Sequence, residues 1–248
     1  MAIKDDQEKS AKRLSDSALI LGVCLVIGLF LLGRELASGL VTYREMDRTV
    51  TVKGLSENEY PADIVIWPIQ FISASNNLSD LYTELTGNTQ AIRSFLLARG
   101  IEASEISQSP PSITDKLAQQ WGGGGAVEYR YTATQTVTVY SVNVDAVRKT
   151  MNEMAELGKQ GIVFTSNDYQ AATEYIFTQL NDIKPRMVEE ATKQAREVAD
   201  KFAQDSGSQL GKIKSAQQGQ FSIEDRDKNN PHIKKVRVVS TVEYYLSD

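Results

Sequence analysis

Reactive side chains are scarce in this chain: its 248 residues include one cysteine, Cys24, and one histidine, His232. Cys24 lies inside an uncharged apolar run, so everything after it is free of thiol. That excludes disulfides, cysteine nucleophiles and thiolate metal sites there. The body must hold itself by core burial alone, which a chain of about 200 residues can do. Positive charge is also short, with 27 Lys and Arg against 32 Asp and Glu. In the tail to Asp16, Lys4, Lys9, Lys12 and Arg13 balance Asp5, Asp6, Glu8 and Asp16, and Arg34 offsets Glu35, so the net charge of -5 falls on the rest. A nucleic-acid binder would carry a basic face to neutralise phosphates, so no nucleic-acid partner is expected.

Long apolar runs are limited to one, Ala18 to Gly33, with neither charge nor proline. A membrane helix needs roughly 20 residues, with about 17 tolerated. Leu36 to Val41 can extend the run if Arg34 and Glu35 snorkel or pair at the interface. The expectation is a transmembrane anchor over residues 17–40, after a tail at 1–16 and before a connector at 41–47. A cleaved signal peptide is the rival, with Leu36-Ala37-Ser38-Gly39 as its cleavage site. The long leader with four acidic residues favours an uncleaved anchor, and cleavage in the cell stays open. A buried core helix is disfavoured because the run is apolar on every face. Four basic residues before the run, against Arg34, Arg44 and Arg48 after it, point the N-terminus inward and the body outward.

Beyond the connector, apolar residues alternate or recur at helical spacing, and tyrosines and phenylalanines are spread throughout, unlike a disordered chain. Strands are predicted over Arg48 to Leu55, with Val50 and Val52 inward and Gly54 at a bulge or bend, and over Asp63 to Ser73, where Pro68 argues for an edge or a bulge. A helix follows from Asn77 to Arg99, with Gly87-Asn88 able to kink it, then a strand from Glu105 to Asp115 broken by Pro110-Pro111. Gly122 to Gly125 could cradle a phosphate, but no Lys-Ser or Lys-Thr follows, so a flexible hairpin tip is the better reading. Glu128 to Val142 is the clearest long strand; Asp145 to Gly158 is an amphipathic helix with Val144, Val147, Met151, Met154 and Leu157 inward, and Ile162 to Ala171 a shorter strand.

Pro185 to Ser206 repeats Val188, Ala191, Ala195, Val198 and Phe202 at spacings of 3 and 4, a stripe of small residues that lets a neighbour approach closely. Pro185 suits a first turn and Gly207 the position past the end. A coiled-coil seam is the other use of that spacing. Strands over Lys212 to Ser222 and Val236 to Leu246 close the chain. The order β-β-α-β-β then α-β-α-β-β predicts an α+β fold, a two-lobed α/β sandwich with mainly antiparallel sheets.

Candidate site residues are few. His232 lies near Asp225 and Asp227, and such groups can ligate a metal, but Asn229-Asn230-Pro231 is turn chemistry and a solvated turn is the better reading. Tyr60, Trp67, Tyr129 and Tyr131 could line a pocket between two lobes, though each also reads as packing. Paired carboxylates could still meet in the fold. No catalytic, cofactor-binding or metal-binding residue is assigned, and the chain is expected not to be an enzyme.

Several stretches resemble one family: Thr49 to Gly54 followed by Pro61-Ala62-Asp63, Arg99-Gly100-Ile101 with Glu105-Ile106, Tyr131 to Val142, and Ala195 to Gly219. They look like the SIMPL-domain family of bacterial envelope proteins, which includes the periplasmic immunogenic proteins of pathogens, over most of residues 48–248. The anchor, Ile183-Lys184-Pro185 and the FSIEDRD stretch from Phe221 are similar to its membrane-anchored branch. The resemblance implies a two-part α+β ectodomain in the periplasm on a single-pass inner-membrane anchor, assembly into homo-oligomers, and for some members a link to oxidative-stress tolerance. It carries over no catalytic residue. Where many members have Gly-Tyr ahead of the long strand, this chain has Arg130-Tyr131, which leaves that turn's geometry open. The leading expectation is an envelope module that self-associates, pairing through strand edges near Pro68 or at Val236 to Tyr245; the alternative is a ligand-binding module.

Overall fold

The computed structural model describes residues 22, 25–39, 48–118, 128–165 and 172–247. About a third of the expected membrane span, including Cys24, lies outside the described residues, as do Gly122 to Gly125. Residues 25–39 form a helix, α1, whose side chains are all exposed. Among the described residues no helix is long and apolar enough to cross a membrane. The remaining described chain is mixed α and β with mainly antiparallel sheets. It divides into two compact units, one of Met1–Leu55, Glu190–Gly219 and Ser240–Asp248, the other of Ser56–Glu189 and Gln220–Val239.

The second unit is built on β2 (Ile64–Ser75) and β5 (Tyr131–Ser141), which pair antiparallel from Val65↔Ser141 to Ser75↔Tyr131. Their odd-numbered residues face inward: Val65, Trp67, Ile69 and Phe71 on β2, Ala133, Val137 and Val139 on β5. The short strands β3 (Ile106–Gln108) and β4 (Ser112–Asp115), separated by the proline pair, both bond β5 on its other side. Over this sheet lies α2 (Leu78–Ala98), unbroken through Gly87-Asn88, with Leu81, Leu85, Ile92, Phe95 and Leu96 buried. Asn77 caps it by accepting from the Ser79 N–H at 2.9 Å.

Pro68 is not in an edge strand: β2 is interior, with β5 on one side and β6 (Val163–Phe164) and β7 (Glu174–Ile176) on the other. Those two are short, reaching only Phe71–Ile72 and Ile64–Ile66, so Pro68 falls in the interval between them. A missing N–H is tolerated there because no ladder partner is opposite. The helix expected from Asp145 to Gly158 is two pieces, α3 (Val144–Asn152) and α4 (Ala155–Lys159). The break comes where the Glu153 and Met154 N–H groups reach back only three residues, to Thr150 and Met151. The stop is Gly161, at φ +93°, and not Gly158. Of the expected strand to Ala171 only β6 lies within the described residues, and β7 was not foreseen.

In the first unit, the leading half of β1 (Thr49–Pro61) and the trailing halves of α5 (Leu180–Asp205) and β10 (Ile233–Ser247) come together with β8 (Gln209–Gln218). Val52, Ala195, Ala199, Val242 and Tyr244 form its core. α5 starts five residues before Pro185, since one turn completes ahead of the proline and only the exposed Asn181 carbonyl loses its partner. Its buried stripe is Met187, Ala191, Ala195, Ala199 and Ala203, at a constant spacing of four. Val198 and Phe202, expected inward, are 39% and 56% exposed.

Gly54 marks neither bulge nor bend. It sits within β1, where a Cβ would fall 1.8 Å from the Ala191 carbonyl oxygen and 2.5 Å from the Ala195 nitrogen. Nor is the C-terminal strand an edge. β10 lies between β1 and β8, with Val238 and Val242 buried, while β8 ends the sheet. Within the second unit β10 also pairs with β9 (Ser222–Asp225), which makes a hairpin around the expected turn at Asn229-Asn230-Pro231.

Candidate functional site

The proline pair that separates β3 from β4 leaves the sheet beside α2 unfilled, and a cavity of about 340 Å³ opens there. Its wall is a second stripe of α2, one position round from the buried one: Tyr82, Thr86, Thr89 and Arg93, at spacings of 4, 3 and 4. Leu85 and Gln90 complete the helical side, and Gln108, Pro111 and Gln135 come from the sheet. Gln135 stands on the inward face of β5 between Ala133 and Val137, where an apolar side chain would be usual, and is 8% exposed. Its amide is held at both ends: Nε2 donates to the Ser109 carbonyl at 2.9 Å, and Oε1 accepts from the Thr89 hydroxyl at 3.1 Å. This satisfies a carbonyl that the proline break would otherwise strand.

Arg93 is the one charged residue of the lining, and it is half-buried. Among the described residues it has no carboxylate partner. Other arginines of the unit do: Arg99 grips Glu153 and Glu156, each at 2.5 Å, Arg130 pairs with Asp115 at 2.9 Å, and Arg226 with Asp227 at 2.9 Å.

None of the aromatics expected to line a pocket lines this one. Trp67 is core, Tyr129 is exposed, and Tyr60 stacks on Phe177 at 5.4 Å with its hydroxyl accepting from Arg186 at 2.6 Å. Tyr131 packs against the core under the Arg130 guanidinium. Arg130 itself closes the base of the β4–β5 pair: its carbonyl accepts from the Lys116 N–H at 2.9 Å, and its ion pair lowers the Asp115 pKa.

His232, Asp225 and Asp227 do not converge on a shared point. Asp225 is taken by Lys234. Asp227 accepts from Arg226 and from the Asn229 and Asn230 backbones, each at 2.9 Å, and from the Asn230 amide at 3.0 Å; Arg226 first, then the Asn230 side chain, pull its pKa down to about 2. His232 lies edge-on to Tyr175 at 6.0 Å, and its carbonyl accepts from the Ala62 N–H at 2.8 Å. Burial, then the Arg148 and Arg226 charges, lowers its pKa. Among the described residues no three histidine, cysteine or acidic side chains are grouped to hold a metal ion.

The model of the SIMPL family, described as a protein of unknown function (DUF541), matches residues 50–243. The chain belongs to the SIMPL family. The match runs from β1 into β10, so it takes in every element of both units between those residues and leaves out α1. No curated protein matches the chain. The SIMPL description names no activity, so what this site can do rests on its own residues. Sequence reading missed Arg93, Thr89 and Gln135. Only Gln135 left a signal, a polar residue in step with Ala133, Val137 and Val139; the cavity itself depends on how far two prolines hold β3 from β4.

Proposed function

We propose that this SIMPL-family protein is an inner-membrane-anchored module of the bacterial envelope that works by association, without chemistry of its own, with the body outside the membrane. The observation that supports it is α1. Leu25, Val26, Ile27, Leu29, Phe30, Leu31, Leu32 and Leu36 are between 53% and 71% exposed, on every face of the helix. Each such side chain forgoes about 1.5–3 kcal/mol by staying in water, and lipid removes that cost. Self-association is assigned to β8, one of the two strands at the ends of its sheet, the other being β1. Apart from the half-buried Leu210 and Gly211 its side chains are exposed, and its outward main-chain groups are a template for another strand. The family resemblance supports a role in stress tolerance.

Protease added to intact spheroplasts should degrade the body and leave the tail, and the detergent-solubilised full chain should exceed the monomer mass by light scattering. Ile213→Lys on β8 should shift that mass downward. A protected body refutes the placement, and a monomer at micromolar concentration refutes the association.

A second reading, a ligand-binding module, is favoured by the cavity beside α2. Its volume falls within the roughly 300–1,000 Å³ range of ligand sites, and Tyr82, Leu85 and Pro111 meet the polar groups of Thr89, Arg93 and Gln135 there.

A further inference from the structure

We infer that the cavity beside α2 binds a small organic monocarboxylate, its carboxylate held by Arg93 and its apolar body laid against Tyr82, Leu85 and Pro111. This rests on the reading of the cavity as a ligand site and adds the class of ligand.

Charge decides the sign. Among the described residues Arg93 is the single charged group of the lining, and no Asp or Glu of the lining neutralises it. Among the described residues it has no carboxylate partner, whereas Arg99, Arg130, Arg148 and Arg226 of the same unit each sit within 4 Å of one; Arg186, which bonds the Tyr60 hydroxyl, and Arg237 also lack one, but neither lines the cavity. A half-buried guanidinium without an anion is incompletely compensated, and its planar fork matches a carboxylate with two parallel hydrogen bonds. One cation suits one negative charge. A phosphate or polyanion would call for further cations or a run of backbone N–H groups, and the lining supplies neither.

The other walls set the rest of the ligand. Tyr82 is 49% exposed, so its ring face is open to a flat partner. Thr89 and Gln135 are locked to each other and to Ser109, so they form a rigid polar floor. Gln135 keeps one amide N–H beyond the bond to Ser109, and Gln108 adds an amide with no partner among the described residues; both can serve a polar substituent at the far end. The volume of about 340 Å³ is near the bottom of the roughly 300–1,000 Å³ range of ligand sites, which limits the occupant to a small molecule.

The test is calorimetric titration of the full chain in lipid nanodiscs with benzoate, benzamide and inorganic phosphate. Benzoate should bind at least about tenfold tighter than benzamide, and phosphate should not bind. Arg93→Gln should abolish the preference, and Arg93→Lys, which keeps the charge without the fork, should retain part of it. Thr86→Trp, which fills the cavity from an exposed helical position, should abolish binding of both aromatics. Equal affinity for benzoate and benzamide, a preference that survives Arg93→Gln, or tighter binding of phosphate overturns the carboxylate assignment, while the cavity still counts as a ligand site if Thr86→Trp removes binding. Binding that survives Thr86→Trp, or no binding by any probe, overturns the site together with the class. Arg93 has no partner to lose among the described residues, so its variants should melt with the wild type; a melting temperature lowered in Arg93→Gln but not in Arg93→Lys would place Arg93 in the packing and overturn the assignment.

Discussion

The backbone of Gly54 in β1 lies directly against the carbonyl of Ala191 in α5, so close that a methyl group on the glycine would sit 1.8 Å from that oxygen. Strand and helix can approach this far only because α5 offers alanines at 191, 195, 199 and 203. Gly54→Ala cannot be absorbed by a rotamer change, since the obstacle is backbone on both sides. The substitution should destabilise the protein by more than about 3 kcal/mol, toward the exceptional end for single changes. Denaturant unfolding checks this, and a loss under about 1 kcal/mol would refute the contact.

Gly87 provides the opposite case. It lies in the middle of α2 with nothing within 4 Å of where a Cβ would be. Gly87→Ala should therefore stabilise by about 0.5–1 kcal/mol, through the lost freedom of the unfolded chain and better helix propensity. Melting of the pair Gly54→Ala and Gly87→Ala, measured side by side, should move in opposite directions.

Tyr244 carries a buried hydroxyl that finds no hydrogen-bond partner among the described residues, in a residue 1% exposed. Burial raises its pKa, as expected of a phenol cut off from water. Tyr244→Phe keeps the ring and removes the unsatisfied group, so stability should rise by about 1 kcal/mol. A loss of similar size in urea unfolding would mean that the hydroxyl is bonded in solution.

Period-2 alternation found β1 and β5, a nearly continuous run of apolar β-formers found β2, and helical spacing found α2, because those elements bury a face against their own unit's core. The same signal misplaced Val198 and Phe202. A 3-4 spacing on α5 cannot tell an alanine stripe from the larger residues beside it, and close approach chose the alanines. The sequence-based reading of Pro68 went wrong for a related reason: the residue marks a missing ladder partner, and only the lengths of β6 and β7 show that an interior strand has such a place. Arg93 could not be singled out among the basic residues, since what distinguishes it is its place in the cavity lining without a carboxylate neighbour among the described residues.

His232 should make stability depend on pH in a defined window. Its folded pKa is below the ordinary 6.5, from burial first, then Arg148 and Arg226 against the weaker opposing pull of Asp145 and Asp227. Tyr175, its ring neighbour, is kept neutral by a raised pKa. Below pH 6.5 the unfolded chain takes up a proton that the folded one resists, so stability is full above 6.5 and falls as pH drops toward the folded value. Asp115, Asp227 and Glu243 also have lowered pKa values, but their contributions are lost only below ordinary values of 3.8, 3.8 and 4.5. Melting between about pH 5 and 7 should therefore isolate the histidine, and His232→Gln should flatten the curve there. An unchanged slope in that variant would assign the effect elsewhere.

Gln135 and Thr89 should behave as one unit. Gln135→Met keeps the volume but strands the Ser109 carbonyl and frees the Thr89 hydroxyl, and should cost about 1–3 kcal/mol. Thr89→Val keeps the shape and leaves the Gln135 oxygen without its donor, a smaller loss of about 1 kcal/mol because the site opens on the cavity. In the double variant the Thr89–Gln135 bond can be lost only once, so the combined cost should fall short of the sum by about 0.5–1 kcal/mol. Strict additivity in denaturant unfolding would show that the two side chains do not hold each other. The floor of the cavity would then be mobile, and the polar end of any ligand would have to be held by Gln108 alone.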